Sequence, residues 1–201
     1  MKPPRIPPMA ADLIQAALFA FDGVEFAGLS ICSACGGPVQ GYDSRQKKFA
    51  VLREGDSERT ISVQVKRFTC RACGRLCYAG EPFYPDTRIG SPVIDLFCTL
   101  SATMPPARAA RVIDAIGIVV DRTTWRNYAG RNFGEIPAVD AFGMHLPFSL
   151  LSLSALAARA VEGGRIPGAE ALAACGFPSA HRASPHRPLP PEERDERDKE
   201  K

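Results

Sequence analysis

Two short cysteine motifs constrain the fold of this chain more than any other feature of its sequence. They read Cys32-Ser-Ala-Cys35-Gly36-Gly37 and Cys70-Arg-Ala-Cys73-Gly74. In each motif a Gly follows the second Cys, where the chain must turn tightly so that backbone N–H groups can point at sulfur. Two such knuckles joined by a hairpin supply four thiolates in a tetrahedron, which is the ligand set of a structural Zn²⁺ site. The sequence therefore predicts a zinc ribbon whose ligands are Cys32, Cys35, Cys70 and Cys73.

Other uses of paired cysteines remain open to different degrees. A rubredoxin-type iron site also has paired CxxCG knuckles, and sequence does not separate iron from zinc in a site with four sulfur ligands. A disulfide framework is disfavoured because no secretion signal is visible and cytosolic thiols stay reduced. A thioredoxin-like redox motif needs a βαβ context, which neither knuckle has. We favour zinc because the neighbouring residues are typical of DNA-binding proteins.

The remaining cysteines have other expected roles. Cys77 follows Cys73 with three residues between them, so it could replace Cys73 as a ligand. The symmetry of the two CxxCG units argues against that exchange. Cys98 and Cys175 lie in apolar helical patterns, where we expect small buried side chains.

Composition and charge indicate a globular chain with a weak preference for anions. The 201 residues are 45% hydrophobic and 23% charged, and the formal net charge is +3. Residues 43–88 contain ten Lys and Arg residues and six acidic residues, and this excess of positive charge indicates a mild preference for anions. The proline-rich start is unlike a signal peptide, and residues 146–160 are too few to cross a bilayer. We therefore expect a cytoplasmic protein with no membrane segment.

The order of patterns predicts an α+β fold, in which a small β-hairpin zinc ribbon precedes an α-helical helix-turn-helix domain. Apolar residues at helical spacing predict a helix over 10–21. Residues 49–53 read as a short strand, and 60–69 alternate between apolar and polar side chains as a half-buried strand does. The expected units are a lead and helix (1–23), the ribbon (24–80), the helix-turn-helix (81–132), an accessory helical segment (133–183) and a disordered charged tail (184–201).

Three successive helices form the predicted helix-turn-helix. The first begins at Ser91 as N-cap with Pro92 at the first helical position, and the second covers 107–116 with Gly117 at its C-terminal end. Asp121 caps the third, which covers 122–132, with Trp125, Tyr128 and Ala129 facing inward. The outward residues are of the types that contact phosphates and base edges: Arg122, Thr123, Arg126, Asn127 and Arg131. A generic three-helix bundle with a solvated basic face is the alternative.

The rest of the chain gives weaker signals. Residues 133–145 are predicted to be a loop, and 146–161 an apolar helix that is either buried or in contact with a protein partner or a second copy. A further short helix is predicted over 167–175. No Ser/His/Asp or Cys/His arrangement and no phosphate-binding loop is present in a context that would hold it, so we expect no enzymatic activity.

The order of these parts resembles the N-terminal region of prokaryotic insertion-sequence transposases. The resemblance rests on Phe68-Thr-Cys-Arg-Ala-Cys-Gly-Arg75, on Phe83-Tyr-Pro-Asp86 and on the helices through Arg131, and it covers residues 30–132. It implies metal binding by the four knuckle cysteines and contact of the third helix with double-stranded DNA. Those transposases continue into an RNase H-like domain with three metal-binding carboxylates. Here the acids before the tail are few and follow no strand pattern, so we expect a DNA-binding fragment without strand-transfer chemistry.

The leading interpretation is a zinc-dependent DNA-binding protein, related to transposases or to transcription regulators. Basic side chains of the ribbon would lie over phosphates and make the affinity depend on salt, namely those of Lys66, Arg67, Arg71 and Arg75. The alternative is a zinc-ribbon protein-interaction module that does not bind DNA.

Overall fold

The structure, a computed structural model, describes residues 6–160 and 165–176. The predicted tail, residues 184–201, lies outside the described residues. In the described part, six helices and six strands follow one another in this order: α1 (Pro8–Phe19), β1 (Glu25–Phe26), β2 (Val39–Glu54), β3 (Ser57–Cys70), β4 (Leu76–Tyr78), α2 (Ser91–Thr103), α3 (Pro106–Ile116), α4 (Arg122–Ala129), β5 (Ala138–Ala141), β6 (Met144–Pro147), α5 (Phe148–Ala160) and α6 (Gly168–Ala174). The fold is mixed α+β, as the sequence predicted.

A long antiparallel hairpin forms the centre of the main sheet. Strands β2 and β3 pair from Val39 opposite Cys70 to Glu54 opposite Ser57, with a tight turn at Gly55. On the other edge of β3, β1 pairs in parallel and β4 antiparallel. The alternation over 60–69 is confirmed, whereas the strand expected at 49–53 is only the last third of β2. Residues 40–46 of β2 are all exposed, so they lack the alternating apolar pattern that marks a strand.

The hairpin and the helices share one hydrophobic core. Ile61, Val63 and Val65 on one face of β3 are fully buried, and they belong to the same cluster as residues of α1, α2, α3 and α5. Burying each such side chain stabilises the fold by about 1.5–3 kcal/mol. Cys32 and Cys70 belong to this cluster too, so the knuckles are attached to the core that the helices build.

Helices α2, α3 and α4 lie close to their predicted positions, with differences at their ends. The N-cap of α2 is Gly90 and not Ser91, and no side chain caps that end. Gly117 ends α3 with a left-handed φ of 95°, and the Asp121 side chain accepts a hydrogen bond of 2.9 Å from the Thr124 N–H at the start of α4. Helix α4 ends at Ala129 rather than at Asn132, and Ala129 is exposed, which corrects the expected inward face.

The segment between α3 and α4 is paired to the sheet. The Val119 N–H donates to the Val51 oxygen at 2.9 Å, and the Arg53 N–H donates to the Gly117 oxygen at 2.8 Å. Ile118 thereby forms a bridge with Leu52 of β2. This pairing covers the outer edge of β2 near its end and fixes α4 relative to the sheet.

The C-terminal part corrects one expectation and resolves another. Residues 138–147, most of them expected in a loop, form the β5–β6 hairpin, whose four-residue strands are too short for a period to be read. Helix α5 buries Leu150, Leu153 and Leu156 within the chain, so its apolar face packs on the core and is not a free partner surface. No helix in the described ranges is long and apolar enough to span a membrane.

Candidate metal centre

Two knuckles with nearly identical geometry lie at one end of the hairpin. In the first, the Gly36 N–H donates to the Cys32 oxygen at 2.9 Å, and in the second the Gly74 N–H donates to the Cys70 oxygen at 3.0 Å. Gly36 and Gly74 have φ of 71° and 69°, a left-handed backbone that favours glycine. The first knuckle precedes β2 and the second joins β3 to β4. Because β2 and β3 pair along their whole length, the hairpin brings the two knuckles together.

The four knuckle sulfurs form one compact group. All four Sγ atoms lie within 4.8 Å of one another. The Cys32 and Cys73 sulfurs are 3.8 Å apart, and those of Cys35 and Cys70 are 3.4 Å apart. A tetrahedral Zn²⁺ with bonds of about 2.3 Å requires sulfurs about 3.8 Å apart. The four predicted ligands can therefore bind one metal ion, and both zinc and iron suit such a set.

Backbone N–H groups make the cluster favourable for thiolates. The Ala34 N–H lies 3.4 Å from the Cys32 Sγ, and the Ala72 N–H lies 3.4 Å from the Cys70 Sγ. The N–H groups of Ala34 and Cys35 lower the pKa of Cys32 to about 6. The Cys73 N–H is the main cause of a lowered pKa at Cys70. These donors stabilise the charged sulfur, which is the form that binds metal.

The crowded sulfurs have the opposite effect on Cys35, whose pKa they raise. The Gly37 N–H lowers the pKa of Cys35, but the sulfurs of Cys70 and Cys73 outweigh that effect and raise it to about 12. Without a cation, these sulfurs therefore share protons because several adjacent thiolates repel one another. A divalent ion at the centre would remove the repulsion and release the protons.

Gly37 allows the two knuckles to approach each other. A Cβ atom at this position would lie 2.8 Å from the Ala72 Cβ, 3.3 Å from the Cys35 Sγ and 3.4 Å from the Cys70 Sγ. The Arg71 N–H donates to the Pro38 oxygen at 3.0 Å across the same gap. The second Gly of the first motif therefore serves the contact between knuckles rather than the turn.

Cys77 lies beneath the cluster as a fifth sulfur. It is buried in β4 opposite Phe68, and its Sγ lies 3.5 Å from the Cys32 Sγ. Burial is the main cause of its raised pKa, followed by the Cys32 sulfur, so Cys77 favours the neutral thiol. The compact group contains Cys73 and not Cys77. Cys175 is buried and Cys98 half-buried, with the pKa of each raised by burial.

The predicted DNA-contacting residues of α4 form an exposed face. Trp125 and Tyr128 are buried beneath it, and the Trp125 ring stacks on Phe97 of α2 at 4.4 Å. The outward residues Arg122, Thr123, Arg126 and Asn127 are exposed. Among residues 6–160 and 165–176, no carboxylate forms an ion pair with Arg122 or Arg126. No described residue therefore neutralises either of these two guanidinium groups.

Arg131 is exposed, as the spacing predicted, and it also contacts the rest of the chain. Its guanidinium donates to the backbone oxygens of Pro85 at 2.8 Å and Asp86 at 3.3 Å, and it lies over the Phe133 ring at 5.2 Å. It thus ties the end of α4 to the connector between β4 and α2. Arg131 lies two residues beyond the end of α4, whereas the sequence predicted a helix that continues to Asn132.

The basic residues of the predicted ribbon also differ from one another in their contacts. Arg67 forms an ion pair with Asp43, and Arg71 donates to the Gln40 side chain at 3.1 Å. Lys66 is half-buried beside the Phe68 ring, whereas Arg75 is exposed in the second knuckle. Arg67 is therefore already paired within the chain, and Arg71 and Arg75 remain accessible.

Arg88 belongs near the α4 face, although no pattern in the sequence selected it. Its backbone N–H donates to the Tyr128 hydroxyl at 3.2 Å, and its side chain is exposed. Arg108 of α3 is exposed as well. The signal that could have found Arg88 is its position within the connector, three residues before the first helix of the predicted helix-turn-helix.

A buried carboxylate lies in the helical part, away from the cysteines. Asp95 of α2 accepts hydrogen bonds from the Tyr84 hydroxyl at 2.6 Å and the Ser149 hydroxyl at 2.7 Å. Burial raises its pKa to about 6, although the two hydroxyls lower it in part. This network joins α2 to the connector and to α5.

Comparisons with protein-family models, with curated proteins and with solved structures each find no match to this chain.

Proposed function

We propose that this chain is a zinc-dependent protein that binds double-stranded DNA through α4, without catalysing a reaction. The observation that carries the proposal is the exposed basic face of α4, which no described carboxylate pairs with, beside a sheet that carries four clustered cysteines at one end. Zinc is the proposed ion because it holds such tetrahedral sulfur sites without redox chemistry. Reduced thiolates at the centre suit the cytoplasm, where we place the protein.

The dimensions and side chains of α4 support this role. Its eight residues give a helix about 12 Å long, similar to the width of the major groove. Arg122 and Arg126 are a turn apart and could reach guanine edges or phosphates, while Asn127 is of the type that pairs with adenine. Arg88 and Arg108 lie outside α4 and would add phosphate contacts.

The arrangement of α3 and α4 supports a helix-turn-helix interpretation and adds a link to the metal. Asp121 caps α4, and the segment before it pairs with β2. Because β2 begins directly after the first knuckle, the metal would stabilise the strand against which α4 is fixed. We therefore propose that loss of the metal weakens DNA binding as well as the ribbon, in keeping with the transposase regions that this chain resembles.

Binding to duplex DNA tests the proposal directly. We expect the zinc-loaded chain to bind a labelled 20-bp duplex in fluorescence anisotropy, with affinity that falls steeply between about 50 and 200 mM salt. The double variant Arg122→Ala/Arg126→Ala should lose at least about tenfold in affinity. Arg159→Ala is the matched control, because Arg159 is an exposed residue of α5 with only a 3.6 Å pair to Glu170.

Two results would contradict these expectations. Absence of duplex binding at about 50 mM salt by protein that contains stoichiometric metal would refute the DNA proposal and favour the protein-interaction alternative. Visible colour and iron in protein from iron-supplemented cells would refute the choice of zinc.

A further inference from the structure

The sheet extends past the core and presents an open face near the metal centre. Arg67 of β3 pairs with Tyr78 of β4 on one side and with Asp43 of β2 on the other, so their side chains share a face. Leu76 lies on the same face, opposite Thr69. Tyr42 lies at the register shift between Gly41 and Asp43, and its ring centre is 5.7 Å from the Arg67 guanidinium. We call the half-buried Arg67 and the exposed Tyr42, Leu76 and Tyr78 the ribbon platform.

The platform exposes large apolar side chains that no described part of the chain covers. Tyr42 is 65% exposed, Tyr78 is 46% exposed and Leu76 is 36% exposed. Solvent-exposed aromatic side chains grouped on a sheet are typical of binding surfaces. At the opposite end of the hairpin, the same face of β3 is buried under the helices, so the platform is the part of this face that stays open.

Arg67 holds the platform in a defined geometry. Its Nε donates to the Asp43 Oδ1 at 2.5 Å, a second bond to Asp43 makes the pair bidentate, and its guanidinium lies 5.7 Å from the centre of the Tyr42 ring. Asp43 and then the Tyr78 hydroxyl raise the pKa of Arg67, so the group stays charged. The guanidinium thus lies between two tyrosines whose strands are about 10 Å apart, two inter-strand spacings. Since these contacts exist before binding, little ordering is needed on association.

The rim of the platform is positively charged. Exposed arginines lie next to its residues in the sheet: Arg45 two residues after Asp43, Arg75 directly before Leu76, and Arg71, which Gln40 orients two residues before Tyr42. Within the described ranges, no ion pair neutralises any of these three arginines, and Asp43 is already used by Arg67. Aromatic rings surrounded by arginines match a chain of planar bases joined by phosphates.

We propose that the ribbon platform binds single-stranded DNA, with bases stacked on Tyr42 and Tyr78 and phosphates against Arg71 and Arg75. A duplex does not fit, because its base faces are stacked on one another and are not available to the tyrosine rings. The choice of DNA over RNA rests on the duplex-DNA function proposed for α4. The two surfaces would let one protein hold a duplex and an adjacent unpaired strand.

The test uses the zinc-loaded full chain and fluorescein-labelled (dT)15 in anisotropy at about 50 mM salt. We expect Tyr42→Ala and Tyr78→Ala each to weaken binding at least about fivefold, which corresponds to the loss of one stacked base. Tyr42→Phe and Tyr78→Phe keep the ring and should bind within about twofold of wild type. Zinc content and Trp125 emission confirm that each variant is folded.

Separate arms distinguish this proposal from the duplex function. Arg122→Ala/Arg126→Ala should weaken binding to the duplex and leave (dT)15 binding unchanged. The Tyr→Ala variants should weaken (dT)15 binding and leave duplex binding unchanged. If the duplex does not bind but (dT)15 binds with the expected tyrosine dependence, the α4 proposal fails and the platform stands.

Four results would overturn the platform proposal. They are absence of (dT)15 binding, wild-type affinity in both Tyr→Ala variants, loss of binding in the Tyr→Phe variants, and tighter binding to (U)15 than to (dT)15. Sedimentation of the same samples adds a fifth: a wild-type dimer that becomes monomeric in the Tyr→Ala variants and does not bind (dT)15 would assign the face to self-association.

Discussion

Replacing Asp95 by Asn is expected to remove one defined contribution to the pH dependence of this protein's stability. Asp95 is only 4% exposed, and the Tyr84 and Ser149 hydroxyls are its hydrogen-bond partners. Its pKa rises from an ordinary value of 3.8 to about 6, because burial disfavours the charged carboxylate. The folded state therefore retains the proton to a higher pH than the unfolded chain does.

The sign and magnitude follow from that difference. When the folded-state pKa of an acid is the higher one, the free energy of unfolding falls as pH rises from about 4 to about 6 and then stays constant. A shift of about two pH units corresponds to about 3 kcal/mol, and about half of that change falls between pH 5 and pH 8. The amide introduced by Asp95→Asn carries no charge at any pH, and it can bond both hydroxyls. The free energy of unfolding of Asp95→Asn, measured relative to that of wild type, should therefore be about 1.5 kcal/mol larger at pH 8 than at pH 5.

Urea unfolding of metal-loaded protein at both pH values measures the difference. Trp125 is the single tryptophan, and its stacking on Phe97 makes its emission a probe of the helical core. Asp12→Asn is the matched control, since Asp12 is exposed on α1, and it should follow wild type within about 0.5 kcal/mol. Effects of pH on the cysteines occur in all three proteins and cancel in the comparison. An Asp95→Asn difference that is equal at pH 5 and pH 8 would refute a buried charge at this position.

Three further predictions concern the metal centre. Gly37→Ala should weaken metal binding at least about tenfold in a chelator competition, because the new Cβ would lie 2.8 Å from the Ala72 Cβ. Gly28→Ala is the control and should bind metal normally, because a Cβ there would have no atom within 4 Å. Equal metal affinities of the two variants would mean that the knuckles separate freely. Cys77→Ser should keep one metal ion per chain in elemental analysis whereas Cys35→Ser and Cys73→Ser should not, and loss of metal from the Cys77 variant alone would make Cys77 the ligand. Removing the metal with a chelator should first increase hydrogen exchange at the Cys32 and Cys70 amides, which donate to the Gly37 and Arg75 oxygens. The amides of α1 and α5 serve as the internal reference. A uniform increase in exchange across the chain would contradict a local structural role of the metal.

Local motifs were the features that the sequence revealed best. The CxxCG units, Gly117 and Asp121 are found where their patterns predicted, since a knuckle, a left-handed helix end and an N-cap depend on a few adjacent residues. The strand over 60–69 was predicted as well as these motifs, because one face of β3 is buried on the core and its residues therefore alternate between apolar and polar. The first part of β2 and the β5–β6 hairpin were missed, since strands exposed on both faces, or only four residues long, leave no periodic signal.

Contacts between distant segments account for the remaining differences. Spacing along a helix predicted an outward Arg131, and Arg131 is exposed, but the spacing could not show that its guanidinium donates to the Pro85 and Asp86 oxygens. Arg67 was expected over phosphates, and it is paired with Asp43 across the hairpin. Neither partner is near in sequence, so composition and periodicity could not identify it.

The sequence by itself determined which sulfurs can meet at one ion, because the CxxCG spacing makes each knuckle a ligand pair wherever it lies in a fold. Only the tertiary structure decided how the knuckles approach, that Cys77 lies buried beneath them, and that Tyr42 and Tyr78 are left open beside Arg67. Those outcomes depend on the register of β2 against β3 and on where the helical core ends. Register and core boundaries are set by the packing of the whole chain, whereas a knuckle is set by six neighbouring residues.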